Sequence, residues 1–438
     1  MNSEPNKIAV VGGGYTGLSV ATELIDKGYS VILIEKTDEF GGLGKTIDLS
    51  NGFKCEAFYH HFFTQDVELL RYTKRFLNKY PSFNQTKMGI FYKGKNYSWN
   101  GIIDLLKYPH INLLGKFRFL LATLLLTRKL VKNEFLDSKS LSDGLLKLYG
   151  IKSFQSVWDP MIKGKFGNMV NYIPLRWMEG RLKQRIESRK SGKEKLGYLR
   201  GSLKILTEKI VKYIRSKNSK ALSNSSITNI YWDKKLKRYK LEINTKKVLE
   251  NIYTDKIVFT TSSSVANYLI KDIELEDKNW KNHRYFTAYC IVLELYESLS
   301  EYYWTNIADT NLFFCGYIEQ TKLTKNEEYG GLHIAYLTKY IFLEENEKIL
   351  SQDELKKKAF LALRVLFPNK DIEKIVKNMH FSISKNAQVI TDFKFKESKM
   401  DLLKSKNLFI GNMSNVYPDE RSINNAIKVG IKLASNID

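Results

Sequence analysis

Two adjacent histidines stand out among the residues that could do chemistry. They lie in Glu56-Ala57-Phe58-Tyr59-His60-His61-Phe62-Phe63 and account for two of the six histidines in the chain. Imidazole changes charge near neutral pH, so His60 or His61, with the phenol of Tyr59 beside them, could move a proton or orient a substrate. The alternative is a packed strand carrying one buried, hydrogen-bonded histidine. A second cluster is cationic: Lys163-Gly164-Lys165-Phe166-Gly167, then Arg176, Arg181, Arg185, Arg189, Tyr198 and Arg200. Arg181, Arg185 and Arg189 recur at i, i+4 and i+8, so a helix would set three guanidiniums along one face. With Lys163 and Arg200 nearby, such a stripe could clamp a diphosphate, because the guanidinium fork matches phosphate oxygens. A solvated face interrupted by Glu187 and Glu194 is the simpler account. Tyr302-Tyr303-Trp304 and Tyr417 offer aromatic surface that would line a cavity or fill the core. Cys55, Cys290 and Cys315 are far apart and show neither metal nor disulfide spacing, so no metal is expected.

The elements that must position these groups begin at the N-terminus. Lys7-Ile-Ala-Val-Val-Gly12-Gly13-Gly14-Tyr15-Thr16-Gly17, followed by Ser30-Val-Ile-Leu-Ile-Glu35-Lys36, reads as strand, glycine turn, helix and second strand ending in an acid. Gly12 allows the tight turn, Gly14 lets backbone approach a pyrophosphate and Gly17 lets the helix pack closely, with Tyr15 and Thr16 at a helix N-terminus aimed at the phosphates. Glu35 would hold ribose hydroxyls, with Lys36 next to it. The motif opens a βαβ unit of about 30 residues with the acid about 20 residues on, which is the context a dinucleotide grip requires.

A second glycine loop, Glu39-Phe40-Gly41-Gly42-Leu43-Gly44-Lys45-Thr46, follows where an NAD domain would start its next helix. The paired loops point to FAD. On these residues the chain resembles the flavoprotein superfamily of protoporphyrinogen oxidases, amine oxidases, phytoene desaturases and UDP-galactopyranose mutases. The resemblance implies that Gly41, Gly42 and Leu43 run along the diphosphate, although Leu43 stands where arginine is common. It extends to Lys406-Asn-Leu-Phe-Ile-Gly411-Asn412-Met413 and Arg421-Ser422-Ile423, which look like the family's C-terminal flavin segment and the start of its closing helix. There Asn412 replaces the usual aspartate and would hydrogen-bond the ribityl chain. Ser226-Ile227-Thr-Asn-Ile230 resembles the strand touching adenine, and Lys256-Ile-Val-Phe-Thr260-Thr261-Ser262 the strand completing the sheet.

The expected fold class is therefore α/β, a discontinuous Rossmann-like FAD-binding domain (residues 1–79, 197–264 and 400–438) with an inserted α+β substrate domain. Residues 80–196 would form a mainly helical insertion that opens with a hairpin at 88–99, and residues 265–399 the substrate domain with a mixed sheet. Strand-like runs at Tyr285 to Leu295, Leu312 to Ile318 and Leu332 to Leu337 precede an amphipathic helix from Asp353 to Leu366. At 438 residues, 43% hydrophobic and 27% charged, the chain suits a globular protein of two or three domains.

Lysine and arginine outnumber acids by 70 to 47, a net charge of +23 that favours an anionic partner or simply reflects a lysine-rich composition. No zinc-finger, RNP or KH pattern accompanies the charge, so no nucleic acid is expected. Residues 102–132 combine an apolar stretch at Phe119 to Leu126 with Lys116, Arg118, Arg128, Lys129 and Lys132. Only about ten residues run without charge, whereas a span needs roughly 20, so the segment would either lie on an anionic membrane surface or pack over the substrate cavity. No signal peptide is visible, and the separated cysteines fit a cytoplasmic protein, peripheral on the inner membrane face if the segment binds lipid.

The expected activity is an FAD-dependent oxidoreductase moving a hydride between a substrate C–H bond and flavin N5, with an external electron acceptor or donor. The substrate would be a small or lipid-linked molecule, lipid-like or isoprenoid on the apolar segment, a phosphorylated sugar on the arginines, or an amine on family grounds. A non-redox mutase acting on a nucleotide sugar is the alternative, and a flavoprotein that binds without catalysis is a third.

Overall fold

A computed structural model describes residues 6–188, 194–245, 248–270, 283–344, 347–397, 400 and 406–438. Five parallel strands form its first sheet, in the order Lys220–Leu222, Ser30–Ile34, Lys7–Val11, Lys256–Phe259 and Leu408–Ile410. They come from separated parts of the chain, and their runs are apolar because both faces of the sheet are covered. Alternation then divides the residues. Ile8 and Val10 join the helices Tyr15–Asp26, Lys204–Arg215 and Ile423–Ser435, whereas Ala9 and Val11 meet Leu241 and Ile243 of an antiparallel layer, Ser225–Asp233, Arg238–Thr245 and Leu249–Thr254. The closing helix presses against the first one, since a Cβ at Gly430 would lie 1.9 Å from Ser19 Oγ.

The second sheet has seven strands: Val376–Val389, Tyr285–Leu295, His333–Ile341, Gly316–Glu319, Trp304–Ile307, Met88–Tyr92 and Lys95–Ser98, in that order. The expected hairpin turns at Lys93 and Gly94, both at positive φ, as the twist of a two-residue connection demands. Its first strand runs parallel to Trp304–Ile307. The first insertion thus lends two strands to the sheet of the second, and the two form one body. The strand expected from Leu312 begins only at Gly316, and the one expected at Leu332 to Leu337 extends to Ile341. Helix Gln352–Leu366, opened by a capping box of Ser351 and Glu354, covers one face of the sheet. The helices between Ile102 and Glu187 lie against the other. Among the described residues no helix is long and apolar enough to cross a membrane.

Candidate active site

The glycine turn is built to receive a ligand. Gly12 has φ 107°, and Thr260 Oγ1 donates to the carbonyls of Val11 and Gly12 at 3.0 Å each, fixing the turn from the neighbouring strand. A Cβ on Gly17 would sit 1.9 Å from the Gly12 carbonyl oxygen, so this glycine holds helix to turn. Gly14 differs. A Cβ there would meet only Gly42 Cα, at 3.8 Å, so the backbone borders open space. Gly14 is also the N-cap of helix Tyr15–Asp26 and makes no side-chain cap bond, which leaves the helix N-terminus available to an anion. The second loop lies alongside, where Gly41 N–H donates to the Gly13 carbonyl at 2.8 Å. Glu35 braces both: Oε2 accepts from Gly13 N–H at 2.7 Å and Oε1 from Thr37 N–H at 2.8 Å.

From Gly14, Tyr15, Thr16, Gly41, Leu43 and Gly44 a cavity of about 460 Å³ runs between the two sheets to Ser422 and Ile423 at the start of the closing helix. Much of its wall is apolar, with Trp99, Trp158, Met161 and Ile162 from the helical insertion. Trp158 ends a π-helical turn, Phe154–Trp158, whose wider winding interrupts the regular helix at the cavity wall. The polar lining is unbalanced: Lys165, Arg181, Arg185 and Arg421 face one carboxylate, Glu420. Glu420 accepts from Lys165 Nζ at 3.0 Å and from Arg181 Nη1 at 2.8 Å. Burial pushes its carboxyl up, but the two cations together outweigh burial and hold it well below the usual range. Burial lowers Lys165 to about 8, Glu420 opposing and Arg181 and Arg421 reinforcing the shift. Arg185 is paired with Glu194 at 3.2 Å. Arg421 instead donates to two neutral oxygens, Tyr340 Oη and the Ala387 carbonyl, both at 2.5 Å.

Tyr59, His60 and His61 all line this cavity and are half-buried. His60 Nδ1 lies 2.7 Å from the Phe58 carbonyl, which can only accept, so the proton sits on Nδ1 and Nε2 keeps its lone pair. Burial lowers His60 to about 4, the Phe58 carbonyl opposing and Arg421 adding to the fall. His61 is pushed well down by burial, then by Arg185, and Nδ1 meets Tyr303 Oη at 3.0 Å. Both rings are neutral at pH 7. Tyr59 Oη pairs with Tyr340 Oη at 2.9 Å, and burial keeps its phenol protonated.

The model of flavin-containing amine oxidoreductases matches residues 15–393. The chain belongs to that family. Among solved structures, reduced UDP-galactopyranose mutase superposes with a TM-score of 0.74 at 14% identity, over 99% of this chain and 95% of that one. Putrescine oxidase bound to putrescine gives 0.70 at 11% identity, over 99% and 98%. A fatty acid isomerase from P. acnes that produces CLA gives 0.68 at 13%, over the full length of both. At such identities these likenesses carry the fold alone. No curated protein sequence matches the chain.

FAD is the cofactor of this flavin-containing amine oxidoreductase, and the residues fit it. The open space at Gly14 accepts what a Cβ would obstruct, the uncapped helix N-terminus suits a diphosphate, and Glu35 retains lone pairs for ribose hydroxyls. Glu35 Oε1 already holds Thr37, however, so its first structural duty is to the loop. Lys36 is exposed beside it. Ile227 lies in the strand whose start is bonded to the Glu35 carbonyl through Ser225 N–H at 2.9 Å, which puts it at the same edge. Tyr15 is buried with its hydroxyl on Thr207 at 3.0 Å, so only its backbone is free for a phosphate. Gly411 N–H is bonded to the Phe259 carbonyl. Asn412 departs from expectation: Oδ1 accepts from Ser414 N–H at 2.9 Å and Nδ2 donates to the Thr261 carbonyl at 2.8 Å, so the amide caps a turn.

Three expected substrate residues lie off the cavity wall. Lys163 is half-exposed and pairs with Asp159, because two positions along a helix turn it away from Lys165. Arg200 is exposed and lies 3.5 Å from Glu328. The Tyr417 ring packs on Phe395 at 5.7 Å. Arg181, Arg185 and Trp304 do line the cavity. Arg189, the third arginine of the stripe, lies outside the described residues. Lys165, from the same expected cluster as Lys163, does line the cavity, and Glu420, Arg421 and Tyr340 are additions. Arg421 stands next to the N-cap Ser422, a position the closing-helix pattern could have signalled.

Proposed function

We propose that this chain is an FAD-dependent oxidoreductase acting on an amphiphilic anion, a molecule with an extended apolar part and a carboxylate or phosphate head. The observation that carries the reading is the lining of four cations and one carboxylate within a cavity whose wall is otherwise largely aromatic and aliphatic. An aliphatic ammonium substrate would meet like charges there, whereas an anionic head would meet Arg421, whose hydrogen bonds end on neutral oxygens. When bound, the flavin supplies the acceptance or return of a hydride at N5, balanced by an external acceptor or donor. The chain's own part is to bind, orient and exclude water. Arg421, Lys165 and Arg181 hold the head, Trp99 and Trp158 shield the apolar part, and neutral His60 offers Nε2 to a proton.

The same cations also favour a second reading, rearrangement of a nucleotide sugar without net redox, since forked guanidiniums match a diphosphate. Gln184, Asn306 and Thr338 could meet sugar hydroxyls, but the aromatic and aliphatic part of the wall gives a sugar nothing to pair with, which ranks this reading second. Titrating a long-chain carboxylate into the flavin-loaded protein, followed by the visible flavin spectrum, tests the first. Saturable binding is expected, weakened about tenfold or more in Arg421→Gln. Binding should also fade as pH rises through about 8, where Lys165 loses its proton. Equal affinity for putrescine, or binding indifferent to Arg421, contradicts the assignment.

A further inference from the structure

The helical insertion exposes apolar surface that a water-facing helix does not need. In helix Leu113–Thr127, Phe119, Ala122 and Leu126 are buried, while Leu113 and Leu114 are 78% and 77% exposed and Phe117 68%. Leu121 and Leu124 are also exposed. At about 100° per residue these five exposed side chains fall within roughly one quadrant, on the side opposite the buried three. The short helix Ile102–Lys107 adds Ile102, Ile103 and Leu106, all at least half exposed. A helix apolar on both sides implies a second apolar phase beyond the protein.

Charge indicates which phase. Residues 102–132 contain six lysines and arginines and one acid, Asp104. Asp104 is turned inward, accepting from Asn100 N–H at 2.7 Å. Lys116 and Arg118 fall to either side of the apolar quadrant, and Arg128, Lys129 and Lys132 follow the helix. An apolar stripe rimmed by cations matches the headgroup and acyl boundary of an anionic bilayer. The buried side of the same helix leads inward: Phe119 stacks on Trp158 at 5.6 Å and meets Trp99 at 5.9 Å, and both tryptophans line the cavity. We propose that residues 102–132 form a peripheral docking face for an anionic phospholipid bilayer, placing the tryptophan wall of the cavity one helix away from the lipid. The face would let an amphiphilic substrate pass from bilayer to cavity, and in that respect it rests on the proposed substrate class.

Vesicle flotation of the flavin-loaded full chain tests it without turnover, so a failure here leaves the redox reading standing. Vesicles of phosphatidylcholine with phosphatidylglycerol should carry the protein upward at low salt, and high salt or pure phosphatidylcholine should reduce partitioning by about tenfold or more. Leu114→Glu with Phe117→Glu should abolish flotation while flavin content and melting temperature stay at native values, because both side chains already face water. Light scattering without vesicles should show the same mass for native protein and variant. Native protein that never floats, or a native dimer that the variant splits, overturns the proposal, the latter by making the face a contact between two copies.

Discussion

At the scale of single residues, two glycines of one turn should fail in different ways. Gly14→Ala places a methyl in open space, so the fold should survive with its melting temperature nearly unchanged while flavin content drops sharply. Gly17→Ala drives a methyl into the Gly12 carbonyl oxygen at 1.9 Å, so stability and flavin should fall together. Absorbance of purified protein and a melting curve separate the outcomes, and a flavin-loaded Gly14→Ala variant would remove Gly14 from the diphosphate seat. His60 gives a pH-dependent counterpart. Its folded value, about 4, lies below the ordinary 6.5, so the neutral folded ring contributes stability that is complete above about 6.5 and lost as pH falls toward 4. Chemical denaturation across that window should show a slope in His60→Gln shallower by up to about 1.4 kcal/mol per pH unit. Identical slopes would mean that His60 is solvated. The glycine turn was legible in sequence because backbone conformation leaves a residue-type record. The cationic half of the ionic cluster, Lys165 and Arg181, was legible too, but its carboxylate Glu420 was not, because it meets them only through tertiary packing.

At the scale of elements, the closing helix and the first helix both border the cavity, and Gly430 sets their separation. A Cβ there would lie 1.9 Å from Ser19 Oγ and 2.6 Å from the Thr16 carbonyl oxygen. Gly430→Ala should therefore push the helices apart, destabilise by about 1–3 kcal/mol and weaken flavin binding, because Ser422 and Ile423 ride on the displaced helix. Equilibrium denaturation alongside flavin retention measures both, and an unaffected variant would show that the contact relaxes without consequence. Elements with strong local pattern were readable in advance: the βαβ start, the Lys93-Gly94 hairpin and the helix after Ser351. Strand Val376–Val389 was missed although Met379, Phe381 and Ile383 alternate, because polar residues between them leave a one-sided edge strand with few apolar positions. The hairpin's membership in the distant sheet was unreadable for another reason. Its pairing with Trp304–Ile307 joins residues more than two hundred positions apart.

At the scale of the whole molecule, a flavin-binding sheet and a substrate sheet enclose one cavity, and the helical insertion closes its apolar side. Excess positive charge recurs at three levels: the chain at +23, the 102–132 face, and the cavity lining. Such a field gathers anions and repels polyamines at low ionic strength. The account therefore stands on whether an anionic amphiphile, once bound, exchanges electrons with the flavin. Anaerobic mixing of the oxidised protein with long-chain carboxylates, prenyl phosphates, UDP-galactopyranose and putrescine, and of the reduced protein with unsaturated analogues of the first two, reads this from the visible flavin band. The expected result is bleaching of the oxidised form, or return of colour to the reduced form, with a carboxylate or phosphate amphiphile only. Bleaching by putrescine, or isomerised nucleotide sugar from reduced protein with no change in flavin colour, would contradict it.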